Sequence, residues 1–239
     1  MSLAIAEPRM AEPRFAIYYA PPAQSPLWRF GSAVLGYDAE TGEQRALPPM
    51  EHFAAEDWRR ITAEPRRYGF HGTLKAPFRL AAGRTEAELR AVCARFAGMR
   101  ARFVCSGIAL KAIGRFLALK TVVPCAALDR LAAGAVAAFD EFRAPISTAE
   151  REKRLRAPLT PRQRENLERW GYPYVLDDFR FHMTLTGPLE EQERALAESE
   201  LSALFAGSDA DGPLIVKEIA LYRQEDGPFR LVERFPFGG

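Results

Sequence analysis

Two stretches of this chain, YGFHGTLKAPF from Tyr68 and DFRFHMTLTGPL from Asp178, write His-x-Thr-Leu in nearly the same surroundings. A shift of 111 residues superposes Phe70, His71, Thr73, Leu74 and Pro77 on Phe181, His182, Thr184, Leu185 and Pro188. The same shift carries Ile108-Ala109-Leu110 onto Ile219-Ala220-Leu221, so 37 residues separate histidine from isoleucine in both places (108 − 71 and 219 − 182). Two separated segments that agree at one offset mark an internal duplication, and the fold has to be one that can be built twice. Upstream, RFAIYYAPP from Arg14 resembles RFLALKTVVP from Arg115 at an offset of 101, which leaves the second copy ten residues longer before its histidine. The stretch Ser147 to Trp170 is the expected site of that surplus.

Between the matched segments each copy carries a helix. Thr85 and Glu88 read as a capping box ahead of Leu89, Val92, Cys93, Phe96 and Met99. In the second copy Ala197, Leu201, Leu204 and Phe205 fall at helical spacing over Glu190 to Phe205, with Gly207 as the stop. Each copy therefore reads β-α-insert-β-α-β, and a last strand over Phe229 to Phe235 closes the chain. The expectation is an α+β fold of two pseudo-symmetric lobes, with antiparallel-rich sheets around a central cleft. Residues 1–13, with their two AEPR copies, are expected to be a flexible tail. Residues 14–239 form one bilobal domain, with lobes near 14–114 and 115–239 and a basic helical insertion near 147–170.

At 239 residues and 48% hydrophobic, the chain can bury a sizeable core. Thirty-three basic against thirty-one acidic side chains leave a net charge of +2, too little for bulk attraction to nucleic acid or membrane, so any anion site has to be local. The three cysteines, Cys93, Cys105 and Cys125, are odd in number and show no metal or redox spacing, and they read as reduced core residues. The first fifteen residues lack the pattern of a secretory signal, and no apolar run is long enough to span a bilayer. A cytoplasmic protein, monomeric and without membrane partners, is expected.

A strand turns alternate side chains to opposite faces. Phe70, Gly72 and Leu74 then face the core while His71, Thr73 and Lys75 face away, and in the second copy His182, Thr184 and Thr186 do the same. If the copies pack about a pseudo-two-fold axis, two imidazoles and two hydroxyls surround one small volume. That set suits a phosphodiester. A neutral imidazole takes a proton from water, a protonated one gives a proton to the leaving alkoxide, and the threonines hold the oxygens on which charge grows. Imidazole suits both duties near neutral pH, and no metal or other cofactor is called for. Lys75 and Thr186 become candidate substrate contacts. Of Tyr18 and Tyr19, alternation sends one to the core and one to the opposite face without saying which, and Tyr18 is the candidate to meet a sugar or base.

The paired motif in a duplicated chain resembles the 2H phosphoesterase superfamily, in which two H-x-[ST]-x strands face one another and act on cyclic phosphodiesters and RNA ends. The resemblance covers most of the chain from Phe15 and implies His71, Thr73, His182 and Thr184 as the catalytic set. RRYGFHGTLKAPFRL, WGYPYV and FRFHMTLTGPL further resemble a bacterial branch associated with phosphonate utilisation, which implies a small phosphorylated substrate such as a ribose cyclic phosphate. An enzyme that finishes RNA 2′,3′-cyclic ends would need a long basic groove with exposed rings. A non-catalytic nucleotide-binding module would show an aromatic-rich strand where this chain has H-x-T-L. His52 lacks a partner motif and reads as a surface residue. Seven basic side chains between Glu150 and Arg169 read either as a solvated helical face or as a lid whose arginines hold a second phosphate. Arg66, Arg67 and Tyr68 fall near the rim of the first histidine strand with roles left open.

Overall fold

The computed structural model describes residues 12–239, so most of the expected tail lies outside the described residues. The first repeat opens with β1 (Arg14–Tyr19) and α1 (Pro26–Leu35), then α2 (Ala55–Ile61) and α3 (Ala63–Arg66). It continues through β2 (Gly72–Arg79), α4 (Glu86–Gly98), β3 (Phe103–Cys105) and β4 (Ile108–Ile113). The second repeat has β5 (Phe116–Thr121), α5 (Ala126–Ala138), α6 (Thr148–Leu155), α7 (Pro161–Trp170) and β6 (Met183–Thr184). It ends with α8 (Glu191–Ala206), β7 (Leu214–Val216) and β8 (Glu218–Gln224), before the closing strand β9 (Arg230–Pro236). Local chemistry sets these bounds. Ser25 accepts from Trp28 N at the start of α1, which has Pro26 in its first turn, and Thr85 and Glu88 form the expected capping box on α4. The stretch expected to hold the surplus of the second copy folds as α6 and α7, each opened by a Ser or Thr cap, where the first copy has the shorter α2 and α3.

Seven strands make one antiparallel sheet in the order β4-β5-β6-β2-β1-β8-β9, and β3 pairs β7 in a small second sheet. The order is a palindrome of the duplication. The two histidine strands β2 and β6 meet at the centre, the first strands β1 and β5 flank them, and β8 and β4 lie outside. The last strand of each copy therefore pairs with the first strand of the other: β4 on β5, β8 on β1. The sequence division near 114/115 runs through the β4-β5 hairpin, and the two lobes share one sheet. An α+β fold with antiparallel sheets is what the duplication led us to expect.

Helices cover one face. Phe15, Ile17, Tyr19, Phe70, Leu74, Met183 and Leu185 point into a core completed by Leu89 and Phe96 of α4, Leu131 and Ala135 of α5, and Leu201 and Phe205 of α8. The opposite face carries Ala16, Tyr18, Ala220 and Tyr222 beneath a second, smaller cluster closed by Trp28 and Phe229. Gly72, inside the first H-x-T strand, is glycine for a steric reason: a Cβ there would stand 2.5 Å from Phe181 Cε2.

The cysteine expectation is corrected. Cys105, at the end of β3, and Cys125, just before α5, are joined in a disulfide, while Cys93 is free and buried. The β4-β5 hairpin lies between them and folds back on itself, bringing together residues 20 apart in sequence, an encounter that spacing rules do not register. Among the described residues no helix is long and apolar enough to cross a membrane.

Candidate active site

The centre of the sheet places the two histidines. Gly72 lies opposite Met183 in antiparallel register, which sets His71 across from Thr184 and Thr73 across from His182. Directly opposed side chains share a face with Cβ atoms about 4.5–5.5 Å apart. Two imidazoles and two hydroxyls therefore alternate around one patch, and all four line a single cleft of about 520 Å³ on the face away from the main helices.

Each ring is held the same way. His71 Nδ1 lies 2.8 Å from the carbonyl of Gly69, and His182 Nδ1 lies 2.7 Å from the carbonyl of Arg180. A carbonyl only accepts, so Nδ1 carries the proton in both rings and Nε2 is the nitrogen that titrates. Gly69 has φ of 71°, a left-handed turn that suits glycine and helps set the first of these carbonyls. His71 Nε2 is also 3.2 Å from Thr73 Oγ1. Burial lowers the pKa of both imidazoles, His71 to about 4, where the charge of His182 adds and the Gly69 carbonyl opposes. For His182 the Arg180 carbonyl opposes burial and Lys120 adds to it.

Tyr18 proves to be the tyrosine on the cleft side, since Tyr19 turns to the core, donates to the Ile215 carbonyl and meets Phe181 edge-on. Tyr18 stacks under His71 with ring centroids 3.7 Å apart and planes at 19°. It is 1% exposed, so its ring is a bed for the imidazole more than a surface for a sugar.

Lys75 is not in the cleft. Ile17 is opposite Lys75 and Tyr18 is opposite Thr73, so β2 spends two residues where β1 spends one. This bulge flips the alternation after Thr73 and puts Lys75 on the helix side with its partner Ile17. There it is 3% exposed and donates to Val136 O at 3.0 Å, in the last turn of α5, and to Asp140 Oδ1 at 2.7 Å. Burial lowers its pKa and Asp140 opposes that. Thr186 borders the cleft but is fully buried, its hydroxyl oxygen accepting the Leu117 N–H at 3.0 Å, so it fastens β5 and offers no surface to a substrate.

The basic insertion divides. Lys153 and Arg154 line the cleft, whereas Arg151 pairs with Glu168 and Arg162 with Asp178. Arg67 and Tyr68 reach the cleft, while Arg66 turns back to the Leu35 carbonyl. His52 is a surface residue paired with Glu200. Sequence reasoning gave no role to Arg14, Phe116, Tyr172 and Tyr174, all of which line the cleft. The Tyr-x-Tyr alternation after Gly171 was the one signal for the last two. Among the described residues no group of three or more His, Cys, Asp or Glu side chains is arranged to hold a metal ion.

Fold and site together define a duplicated α+β protein with paired His-x-Thr strands at the centre of one sheet. The chain belongs to the family described as protein of unknown function DUF1045, which matches residues 73–230. It is 36% identical over 238 residues to a ribose 1,5-bisphosphate phosphokinase PhnN of Janthinobacterium sp. (strain Marseille), covering 95% of this chain and 51% of that protein. A protein of the same name from Laribacter hongkongensis (strain HLHK9) is 39% identical over 197 residues, 82% of this chain and 45% of that one. The chain thus spans about half the length of the curated relatives it matches. Among solved structures, E. coli LigT complexed with 3′-AMP aligns at 14% identity over 95% of this chain and 99% of that one, TM-score 0.45. TT0787 of Thermus thermophilus aligns at 17% over 95% and 98%, TM-score 0.44. These superpositions are too loose to bear on function.

Proposed function

We propose that this chain is a phosphodiesterase of the 2H type that opens a small cyclic phosphodiester by two-histidine acid-base catalysis. The observation that carries the reading is the matched pair of imidazoles, each with Nδ1 tied to a carbonyl and Nε2 free to titrate in the same cleft. His71 is the base. Burial holds it neutral more strongly than its partner, so its Nε2 accepts a proton from water as the oxygen attacks phosphorus. The endocyclic P–O bond breaks, and the departing alkoxide takes the Nε2 proton of His182. An arriving phosphate anion favours the charged imidazole and restores the acid form of His182. Thr73 and Thr184 donate to the non-bridging oxygens, where negative charge grows.

A ribose ring is the natural scaffold for the substrate, because the curated relatives carry a name that refers to ribose 1,5-bisphosphate and the motif resemblance points to phosphonate utilisation. Their kinase activity is a poor fit to this span. The chain contains no Gly-Lys dipeptide, so it cannot supply the G-x-x-x-x-G-K-[ST] loop that cradles nucleotide phosphates. The test is to incubate the purified protein with a panel of ribose and nucleoside cyclic phosphates and measure monoester release. Turnover of at least one is expected, and a protein that opens none of them ends the proposal.

A further inference from the structure

The small sheet turns a bare apolar face to solvent. In the β3-β7 ribbon Phe103 is opposite Val216, Val104 opposite Ile215 and Cys105 opposite Leu214. Cys105, Leu214 and Val216 point into the main core with Phe103 packed against it, so alternation turns Val104 and Ile215 outward together. They are 60% and 44% exposed, and directly opposed side chains of this kind form one patch. Val122 extends it: its N–H donates to the Gly107 carbonyl at 2.9 Å, just past the end of β3, and its side chain is 62% exposed. The Cys105–Cys125 disulfide ties this segment to the ribbon. Strand propensity alone would account for Val104 and Ile215, but not for Val122, which lies outside any strand. Apolar side chains gathered at one exposed place mark a contact surface.

Val104 and Ile215 are 111 residues apart (215 − 104), the offset of the duplication, so β3 and β7 are one strand written twice and the pseudo-two-fold axis of the copies passes through this pair. Duplication by itself would make the two ends of the ribbon alike. Divergence has made them opposite. One step beyond the Phe103–Val216 pair, the same alternation sets Arg102 opposite Lys217 on the outward face, where the other end has their counterparts Pro213 and Ser106. At that other end Asp211 lies against Gly107, where a Cβ would stand 3.4 Å from the Asp211 carbonyl oxygen. Arg102, Lys217 and Asp211 are exposed, and none of them forms a salt bridge among the described residues. The face is basic at one end, apolar in the middle and acidic at the other, and the surface that complements it is its own copy turned end for end.

We propose that this face is the interface of a symmetric homodimer. A two-fold axis running across the ribbon at Val104 and Ile215 lays the apolar pair of one protomer on that of its partner, and the long side chains of Arg102 and Lys217 then reach the partner's acidic end. An axis along the ribbon would set basic end on basic end, so charge selects the first arrangement. The dimer replaces the monomer expected from the sequence. None of these residues lines the cleft, and the ribbon packs on the helix-covered side of the sheet, so pairing leaves both clefts open.

Sedimentation velocity on the whole chain tests this. A patch this small sits at the low end of specific interfaces, so the dissociation constant should fall in about the micromolar range, and loading concentrations from about 1 to about 500 µM should carry the protein from monomer to dimer. Reversing the basic end, Arg102→Glu with Lys217→Glu, or the acidic end, Asp211→Arg, puts like charges together across the axis and should weaken self-association by roughly tenfold or more. The two variants mixed in equal amounts should regain a dimer, since each end then meets its opposite. Unfolding temperatures close to that of the starting protein confirm that these exposed substitutions leave the fold intact. A monomer at every concentration overturns the proposal, as does a dimer that neither reversal weakens, which would place the contact on another face. Variants that dissociate singly and stay apart when mixed overturn the end-for-end arrangement.

Discussion

Replacing Lys75 with methionine separates two views of the first histidine strand. Simple alternation puts Lys75 beside His71 and Thr73, where its loss would weaken substrate binding and leave stability alone. The bulge puts it under the sheet, with its ammonium between the Val136 carbonyl and Asp140. Removing one partner of a fully buried pair costs about 3–5 kcal/mol when the other charge is orphaned. Asp140 is not orphaned here, because Arg143 Nε stays 2.9 Å from its Oδ1 and its carboxylate is 26% exposed. The remaining loss is one charge-assisted bond and one carbonyl left bare, partly offset by apolar packing of the methionine, or about 2 kcal/mol. For a domain of this size that lowers Tm by roughly 4–8 °C. Urea unfolding and thermal melts measure the loss, and kcat/KM on a cyclic phosphate should stay within about threefold. An unchanged Tm with a tenfold fall in kcat/KM would return Lys75 to the cleft and refute the bulge argument.

Three further outcomes are expected. His71→Ala and His182→Ala should each lower turnover by about 10²-fold or more, in buffer containing chelator as in its absence, and the double variant should lose far less than the product; near-full turnover in either single variant clears that histidine. Because His71 is held near 4 in the fold against 6.5 when unfolded, the unfolded chain binds the extra proton first, and stability should fall as pH drops from about 6.5 to about 4 and then level off. His71→Gln should flatten that limb in denaturant titrations at successive pH values, and an unaltered limb would place the titration elsewhere. Gly72→Ala should cost about 1–3 kcal/mol through its clash with the Phe181 ring, and Phe181→Leu in the same chain should recover part of it.

The parts of the molecule written twice were the readable ones. Period-two alternation around His71 and His182 gave the inward Phe and Leu positions, and the shared offset predicted that the two strands would meet. The helix of the first copy announced itself through Thr85 and Glu88, whose reciprocal bonds are local in sequence. What could not be read depended on distant partners. The flip of Lys75 comes from a register set by Ile17 and Tyr18, more than fifty residues upstream. The choice of Tyr18 over Tyr19 follows from which face of β1 the helices cover. The Cys105–Cys125 bond needs a hairpin to fold before its ends meet. Tyr172 joins the cleft because the insertion folds back over the sheet and sets its ring against Arg154, 18 residues upstream (172 − 154).

The exchange of the last strand of each copy sets a timetable for making the protein. β1 sits near the middle of the finished sheet, yet its second neighbour, β8, begins at residue 218, about two hundred residues later in the chain. At translation rates of about 5–20 residues per second, on the order of 10–40 s pass between the emergence of the two. Through that interval β1, an apolar and aromatic strand, presents an open edge that could template pairing with another chain. Among the described residues the local shield is β2, whose partner in the finished sheet, β6, also comes late. Folding on the ribosome therefore cannot proceed half by half, and a nascent chain stalled before residue 218 is left with an unprotected strand at what should be its centre.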